Sequence, residues 1–449
     1  MAVKSYSVIL NKKINEFNKS INVDSDKSIS IRAFLIGSIS QGISKVTNVI
    51  LSDDIFSTIK CLKKLNCKIV KINKNEFEIF GKGLGSYHVK KNTLLDLGNS
   101  GTGLRLISSI IATTPNIEVN LTGDNSLRKR DMSKLISLLN EFGAEIYPKN
   151  KTHLPFKLKS SNFPVGVKYT AGNSAQLKSA AILAGLNSYG TTTIQERFKT
   201  RDHTENLINK NSKCISFKNK RNIIKVSGKK ILNAINLKVP SDPSSAAFYA
   251  AICILNKNSN LKIKNVCVNP KRLGFYNILK RHGGKIKILN KKRIGGEYVG
   301  DIIIKSSKIN SLKTNATHYL TATDEYPIMF VIAALSKGTS KFLGIGELAN
   351  KESNRILEMQ KILRKVGIKC KSSKNSMTIH GGKKFIKSNK LLKIDSLNDH
   401  RIAMSCVVLA LCAGIKIVIN GFETVKTSSP SFLEIIKKLG GKYEIKKKI

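Results

Sequence analysis

Tryptophan is absent from the 449 residues and acidic residues are scarce: 29 Asp and Glu stand against 78 Lys and Arg, a formal charge of +49. Without Trp, a stripe of Arg with interleaved aromatics or an RNA-recognition motif, stacking platforms for bases are lacking, so no specific nucleic-acid partner is expected. The lysines run from end to end among abundant Asn and Ile, a bias of the whole chain rather than of one face. Anionic small molecules remain natural partners for such a chain. The eight cysteines, at 61, 67, 214, 253, 267, 370, 406 and 412, form no CxxC pair and have no His at metal spacing. They read as free thiols, with neither disulfides nor a metal site. Nothing at the start resembles a signal peptide, and the longest apolar stretch, residues 404–414, is too short to span a bilayer, so no membrane association and a cytoplasmic location are expected. The length exceeds one ordinary core and predicts two domains with a cleft between them.

What is present is a repeat. The segments LKKLN66, LNEFG143, LINKN211, LKRHG283, LRKVG367 and IKKLG440 each read as a helix stopped by Gly or Asn before a strand, and the stops fall 68 to 84 residues apart. Gly and Asn suit the left-handed conformation common just past a helix end. Helix starts at Lys27-Ser28, Gly101-Thr102, Ser174-Ala175, Pro243-Ser244, Asp324-Glu325 and His400-Arg401 recur every 69 to 81 residues, in step with the stops. Two series in phase predict six αβ units, three per domain, dividing near Lys238-Val239-Pro240.

The helix starts also carry the chemistry, because free N–H groups and the positive dipole end bind anions. In the stretch 26–32, DKSISIR, a hydroxyl at Ser28 and a guanidinium at Arg32 stand one helical turn apart, with Lys27 at the opening; the alternative is a solvated basic face. LGNSGTGLR at 97–105 lets bare backbone approach a ligand or simply makes a tight turn. It has neither the P-loop ending nor the Rossmann spacing. LRKR at 127–130 offers guanidinium groups for carboxylate or phosphate, or only surface charge. In so acid-poor a chain Asp324, Glu352 and Asp399 stand out. Asp324 and Asp399 could equally be helix N-caps, and Glu352, between Lys351 and Arg355 one turn apart, an ordinary ion pair.

The ordered blocks DKSISIR, GNSGTGLR, SAQLKSAAILAGL, TRDHTE, DPSSAAF, DEYP, KESNR and NDHRIAM resemble the 5-enolpyruvylshikimate-3-phosphate synthase family (3-phosphoshikimate 1-carboxyvinyltransferases) over nearly the whole chain, and its second, glyphosate-tolerant class in the SAQ and TRDHTE forms. The resemblance implies an α/β (α+β) fold of two similar domains, each of three βαβαββ units in an inside-out barrel. Residues 24–239 would form the N-terminal domain and 1–23 with 240–449 the C-terminal one, with the active site in the cleft. It also implies transfer of the enolpyruvyl group of phosphoenolpyruvate to the 5-hydroxyl of shikimate 3-phosphate, by a monomer with no cofactor.

By position, the resemblance assigns shikimate 3-phosphate to Lys27, Ser28, Arg32, Ser174, Gln176, Arg201, Asp324 and Lys351. Phosphoenolpyruvate falls to Lys27, Gly101, Arg130, Gln176, Arg355 and Arg401. Asp324 would take the proton of the 5-hydroxyl and Glu352 would exchange one with the methylene carbon. Lys27 would also serve catalysis, and His400 adjoins without a role. Tolerant members of the second class carry Ala at the place of Gly101, so Gly here implies a glyphosate-sensitive enzyme. Departures from the family pattern are Asp24-Ser25 for Pro-Gly, Ile31 for a polar residue, Asp131 for Pro, and Thr427 for a Lys, with Lys426 one position away. A sister enzyme acting on a UDP-amino sugar would show a cysteine-bearing loop near Arg130, and no cysteine lies between residues 68 and 213.

Overall fold

The structure, a computed structural model, describes residues 5–218, 222–382 and 391–447; the parts of the expected domains at 1–4, 219–221, 383–390 and 448–449 lie outside the described residues. The chain forms two compact units: an N-terminal unit of Ser25–Val239 with Arg293–Glu297, and a C-terminal unit of Met1–Asp24, Pro240–Lys292 and Tyr298–Ile449.

Among the described residues there are six four-stranded sheets. In the N-terminal unit they run Asn236–Lys238, Gln41–Thr47, Glu76–Lys82, Lys68–Asn73; then Thr93–Asp96, Glu118–Thr122, Phe156–Lys159, Glu145–Tyr147; then Lys168–Ala171, Thr191–Glu196, Ile223–Ser227, Ile215–Lys218. The C-terminal unit repeats the plan with Asn18–Ile21, Asn260–Cys267, Glu297–Lys305, Lys285–Ile294; then Lys313–Thr314, Gly338–Leu343, Ser376–Gly381, Lys369–Ser373; then Leu392–Asp395, Ile417–Asn420, Tyr6–Leu10, Glu444–Lys447. Within each sheet the first two strands are parallel and the third is antiparallel to the second. A parallel pair needs a crossover, and in the second, third, fifth and sixth sheets a buried helix supplies it directly, as Gly101–Ala112 does between Thr93–Asp96 and Glu118–Thr122. The result is the βαβαββ unit, six times over. Three sheets borrow a strand from elsewhere in the chain: 236–238 opens the first, 18–21 opens the fourth and 6–10 lies inside the sixth.

Six crossover helices form the middle of the two units: Lys27–Ile39, Gly101–Ala112 and Ala175–Leu186 in one, Pro243–Leu255, Tyr326–Leu335 and His400–Ala413 in the other. Beyond their first turns they are buried almost all round, as helices apolar on every face must be. The second helix of each unit is amphipathic instead. Asp53–Lys64, for instance, buries Ile55, Ile59 and Leu62 and turns its lysines outward.

The expected stops hold at Asn66, Gly143, Gly283, Gly367 and Gly440, all with positive φ. Asn211 differs. It ends its helix without the left-handed turn, with extended Ser212 as the C-cap, and its side-chain amide donates to the Ala234 carbonyl at 2.9 Å. There Asn was chosen by a contact distant in sequence rather than by the helix end. No helix among the described residues is long and apolar enough to cross a membrane. All eight cysteines are free, and burial pushes the Cys61 and Cys406 thiols up to about 12.

Candidate active site

In the N-terminal unit the three buried helices bring their starts together. Gln176 Nε2 donates to Thr102 Oγ1 at 2.8 Å, linking the first turns of two helices. Arg32, buried one turn into the first helix, donates through Nη2 to Ser179 Oγ at 3.0 Å on the third. Its Nε reaches Thr204 Oγ1 at 2.8 Å and its Nη1 the Ser28 carbonyl at 3.0 Å, so Ser28 and Arg32 share one face as expected. Asp26, Ser100 and Ser174 cap the three helices, accepting from the N–H of Ile29, Gly103 and Leu177. Each cap satisfies one of the orphan donors and leaves others of the first turn available for an anion. Lys27 stands at this end paired with the buried Asp54 at 2.9 Å, a partner from the next helix that adjacency along the chain does not suggest.

Gly101 opens the second helix under two guanidinium groups. A Cβ built there would lie 2.8 Å from Arg130 Nη1 and 3.0 Å from Arg105 Nη1. Arg130 is steered by Asn99, whose Oδ1 accepts from Nη2 and whose amide donates to Asp124 at 2.8 Å. Arg105, which donates to the Gly101 carbonyl at 3.0 Å, received no role from the sequence. Its spacing of one turn from Gly101 was the available signal. Arg201 is half-buried just ahead of helix His203–Asn211, and Ser174 combines its cap with partial exposure.

In the C-terminal unit three carboxylates surround one guanidinium. Arg355, 2 % exposed, donates through Nε to Asp399 Oδ2 at 2.9 Å and through Nη2 to Asp399 Oδ1 at 3.2 Å and Glu352 Oε2 at 2.6 Å. Its Nη1 lies 3.9 Å from Asp324 Oδ1 and has no hydrogen-bond partner. Burial alone would ease the proton off Arg355, but Asp399, Glu352 and Asp324 raise its pKa above the ordinary value and keep it charged. Asp399 is wholly enclosed, whereas Glu352 and Asp324 keep 19 % and 25 % of their side-chain surface, so only the latter two can meet a substrate. Asp399 also caps the last buried helix at Arg401 N, 2.9 Å, and accepts from Ser353 Oγ at 2.9 Å. The N-cap position of Tyr326–Leu335 is Glu325 rather than Asp324, and Glu325 accepts a hydrogen bond from Ser244.

Lys351 and Arg355 do not stand one helical turn apart. The helix begins only at Arg355, capped by Asn354, and Lys351 is extended after the 3-10 turn Gly346–Asn350. Arg401 is 6 % exposed with its guanidinium over the Phe248 ring, and neither its Nε nor its Nη1 has a hydrogen-bond partner. Buried guanidinium nitrogens without acceptors are costly, and an anionic ligand would satisfy them. His400, also buried, lies beside it. The departures have local duties. Asp24 accepts from Ser429 Oγ and Ser431 N, Asp131 from Ser133, Ile31 is core, Thr427 bonds Thr424, and Lys426 lies over the Tyr6 ring.

Three-helix units whose buried helix starts gather cations and reachable acids define the enolpyruvyl-transferase fold. The structure matches the enolpyruvyl transferase NikO from Streptomyces tendae with a TM-score of 0.76 over 99 % of this chain and 100 % of that one; at 11 % identity this speaks for fold alone. The EPSP synthase of Acinetobacter baumannii matches with a TM-score of 0.85 and 31 % identity, over 98 % of this chain and all of that one. Proteins called 3-phosphoshikimate 1-carboxyvinyltransferase are 37 % identical in Hydrogenovibrio crunogenus, over 94 % of each chain, and 34 % in Paramagnetospirillum magneticum, over 94 % of this chain and 95 % of that one. The family profile EPSP synthase (3-phosphoshikimate 1-carboxyvinyltransferase) matches residues 11–436. The chain belongs to the EPSP synthase family.

Proposed function

We propose that this protein transfers the enolpyruvyl group of phosphoenolpyruvate to the 5-hydroxyl of shikimate 3-phosphate, releasing phosphate, on the way to chorismate and the aromatic amino acids. The observation that carries the reading is the buried Arg401 with two unpartnered guanidinium nitrogens, in the same unit as Arg355 and its two reachable acids. Phosphoenolpyruvate would be held by Lys27, Gly101, Arg130, Gln176, Arg355 and Arg401. Shikimate 3-phosphate would be held by Lys27, Ser28, Arg32, Ser174, Gln176, Arg201, Lys351 and Asp324.

Glu352 protonates C3, which makes C2 electrophilic. Asp324 takes the proton of the 5-hydroxyl as its oxygen bonds to C2, giving a tetrahedral ketal. Return of a C3 proton to Glu352 then expels phosphate and restores the double bond in the product. Arg355 orients both acids, with Glu352 Oε2 bonded to its Nη2 at 2.6 Å and Asp324 Oδ1 3.9 Å from its Nη1. We further propose that it works as a monomer in the cytoplasm. The test is phosphate release from phosphoenolpyruvate with and without shikimate 3-phosphate. Release that depends on both substrates is expected, and release indifferent to shikimate 3-phosphate would overturn the reading.

A further inference from the structure

Lys178 is almost fully buried in the third central helix, and its ammonium bonds to two carboxylates: Glu205 Oε1 at 2.7 Å and Glu196 Oε1 at 3.0 Å. Burial works against its charge, but Glu205 and Glu196 outweigh it and the pKa rises above the ordinary value. Such an ion cluster is a poor source of stability, since well-packed apolar side chains often serve a core as well or better. What it supplies is a fixed geometry.

That geometry converges on the segment 197–202, which carries Arg201. Lys178 Nζ also donates to the Thr200 carbonyl at 3.4 Å, and Glu196 Oε1 accepts from Thr200 N at 2.9 Å and Thr200 Oγ1 at 2.8 Å. The residue before Arg201 is thus tied by its N–H, its carbonyl and its hydroxyl. Glu205 lies in the first turn of the helix that follows, so the segment is pinned at both ends. The neighbours of the triad continue the network, Thr204 donating to Ser179 at 2.8 Å and both accepting from Arg32. One lysine therefore braces the Arg201 segment against the helix that presents Ser174 and Gln176.

We infer that Lys178, acting through Glu196 and Thr200, is a positioning residue that holds Arg201 for the phosphate or ring of shikimate 3-phosphate. The inference rests on the function proposed above. It is tested by steady-state kinetics of Lys178→Met, Lys178→Arg, Thr200→Val, Arg201→Gln and the double variant Thr200→Val with Arg201→Gln. Thr200→Val removes one buried hydrogen bond and spares the ion triad, so it remains informative if Lys178→Met does not fold. It should raise KM for shikimate 3-phosphate by about tenfold, with kcat and KM for phosphoenolpyruvate changed less than about twofold. Lys178→Met should follow the same pattern and Lys178→Arg should recover most of the loss.

Because the effect passes through Arg201, adding Thr200→Val to Arg201→Gln should change KM no further. Full additivity in the double variant, or equal losses for both substrates, would overturn the positioning role while leaving the proposed function in place. If Arg201→Gln alone leaves KM for shikimate 3-phosphate unchanged, the role given to Arg201 falls and the positioning of it falls too. Absence of any turnover in the parent enzyme would instead count against the function itself.

Discussion

At Arg355 a single guanidinium sorts three carboxylates by exposure. Asp399 is enclosed and takes the bidentate face, which makes it an anchor, while Glu352 and Asp324 sit at the remaining nitrogens with part of their surface open. Asp324 Oδ1 lies 3.9 Å from Arg355 Nη1, close enough to feel its charge. Asp324→Asn should therefore keep substrate KM values within a few-fold and cut kcat by roughly a hundredfold or more, the scale of a positioned acid or base. Near-normal turnover in a folded variant would take the role away from Asp324. At Gly101 the added methyl of Gly101→Ala crowds the tips of Arg130 and Arg105, two flexible side chains, meets Leu127 at ordinary contact distance, and sits on backbone that does not require glycine. The fold should tolerate it. Phosphoenolpyruvate KM should rise modestly as the two guanidinium groups shift, and glyphosate inhibition should weaken more, from a sensitive parent. Competition kinetics on both proteins decide this, a resistant parent or an unmoved inhibition constant being the adverse results.

The element that sets the site is the buried helix, whose interior is core and whose first turn is function. In His400–Ala413 the proposed site residue Arg401 and the cap Asp399 stand at the start, while Val407, Val408, Leu409 and Leu411 are fully buried further along. Packing on every side fixes the axis of such a helix and so fixes where its first N–H groups point. Leu409→Ala should cost roughly 2–5 kcal/mol of stability, as cavity-forming truncations do, measured by urea unfolding at unchanged slope. A loss below about 1 kcal/mol would mean that the helix is not packed as described. The helix stops belong to the same scale. Five could be read from Gly and Asn because a positive φ is a local demand of the backbone, whereas Asn211 was misread because its amide answers a carbonyl at Ala234.

On the scale of the whole molecule, the chain passes from one unit to the other beside Asp24. Its carboxyl is pushed up from 3.8 by burial, helped by nearby Asp242 and only partly offset by hydrogen bonds from Ser429 and Ser431. A group whose folded pKa is raised lends stability below its ordinary value and loses it as pH climbs through the folded value. At neutral pH Asp24 is thus a cost. Asp24→Asn should raise Tm relative to the parent at neutral pH, and the difference should shrink toward pH 3.8. A variant no more stable at neutral pH would contradict this. The six repeats and the DKSISIR and GNSGTGLR starts were legible in the sequence, since helix ends and one-turn spacings are set by neighbours along the chain. Tertiary structure alone decided the pairings: Asp54 with Lys27, Arg105 beside Arg130 over Gly101, Glu196 and Glu205 on Lys178, and Asp324 and Asp399 around Arg355. Charge acts through distance in space, and partners dozens of residues apart acquire that distance only when helices and sheets have packed.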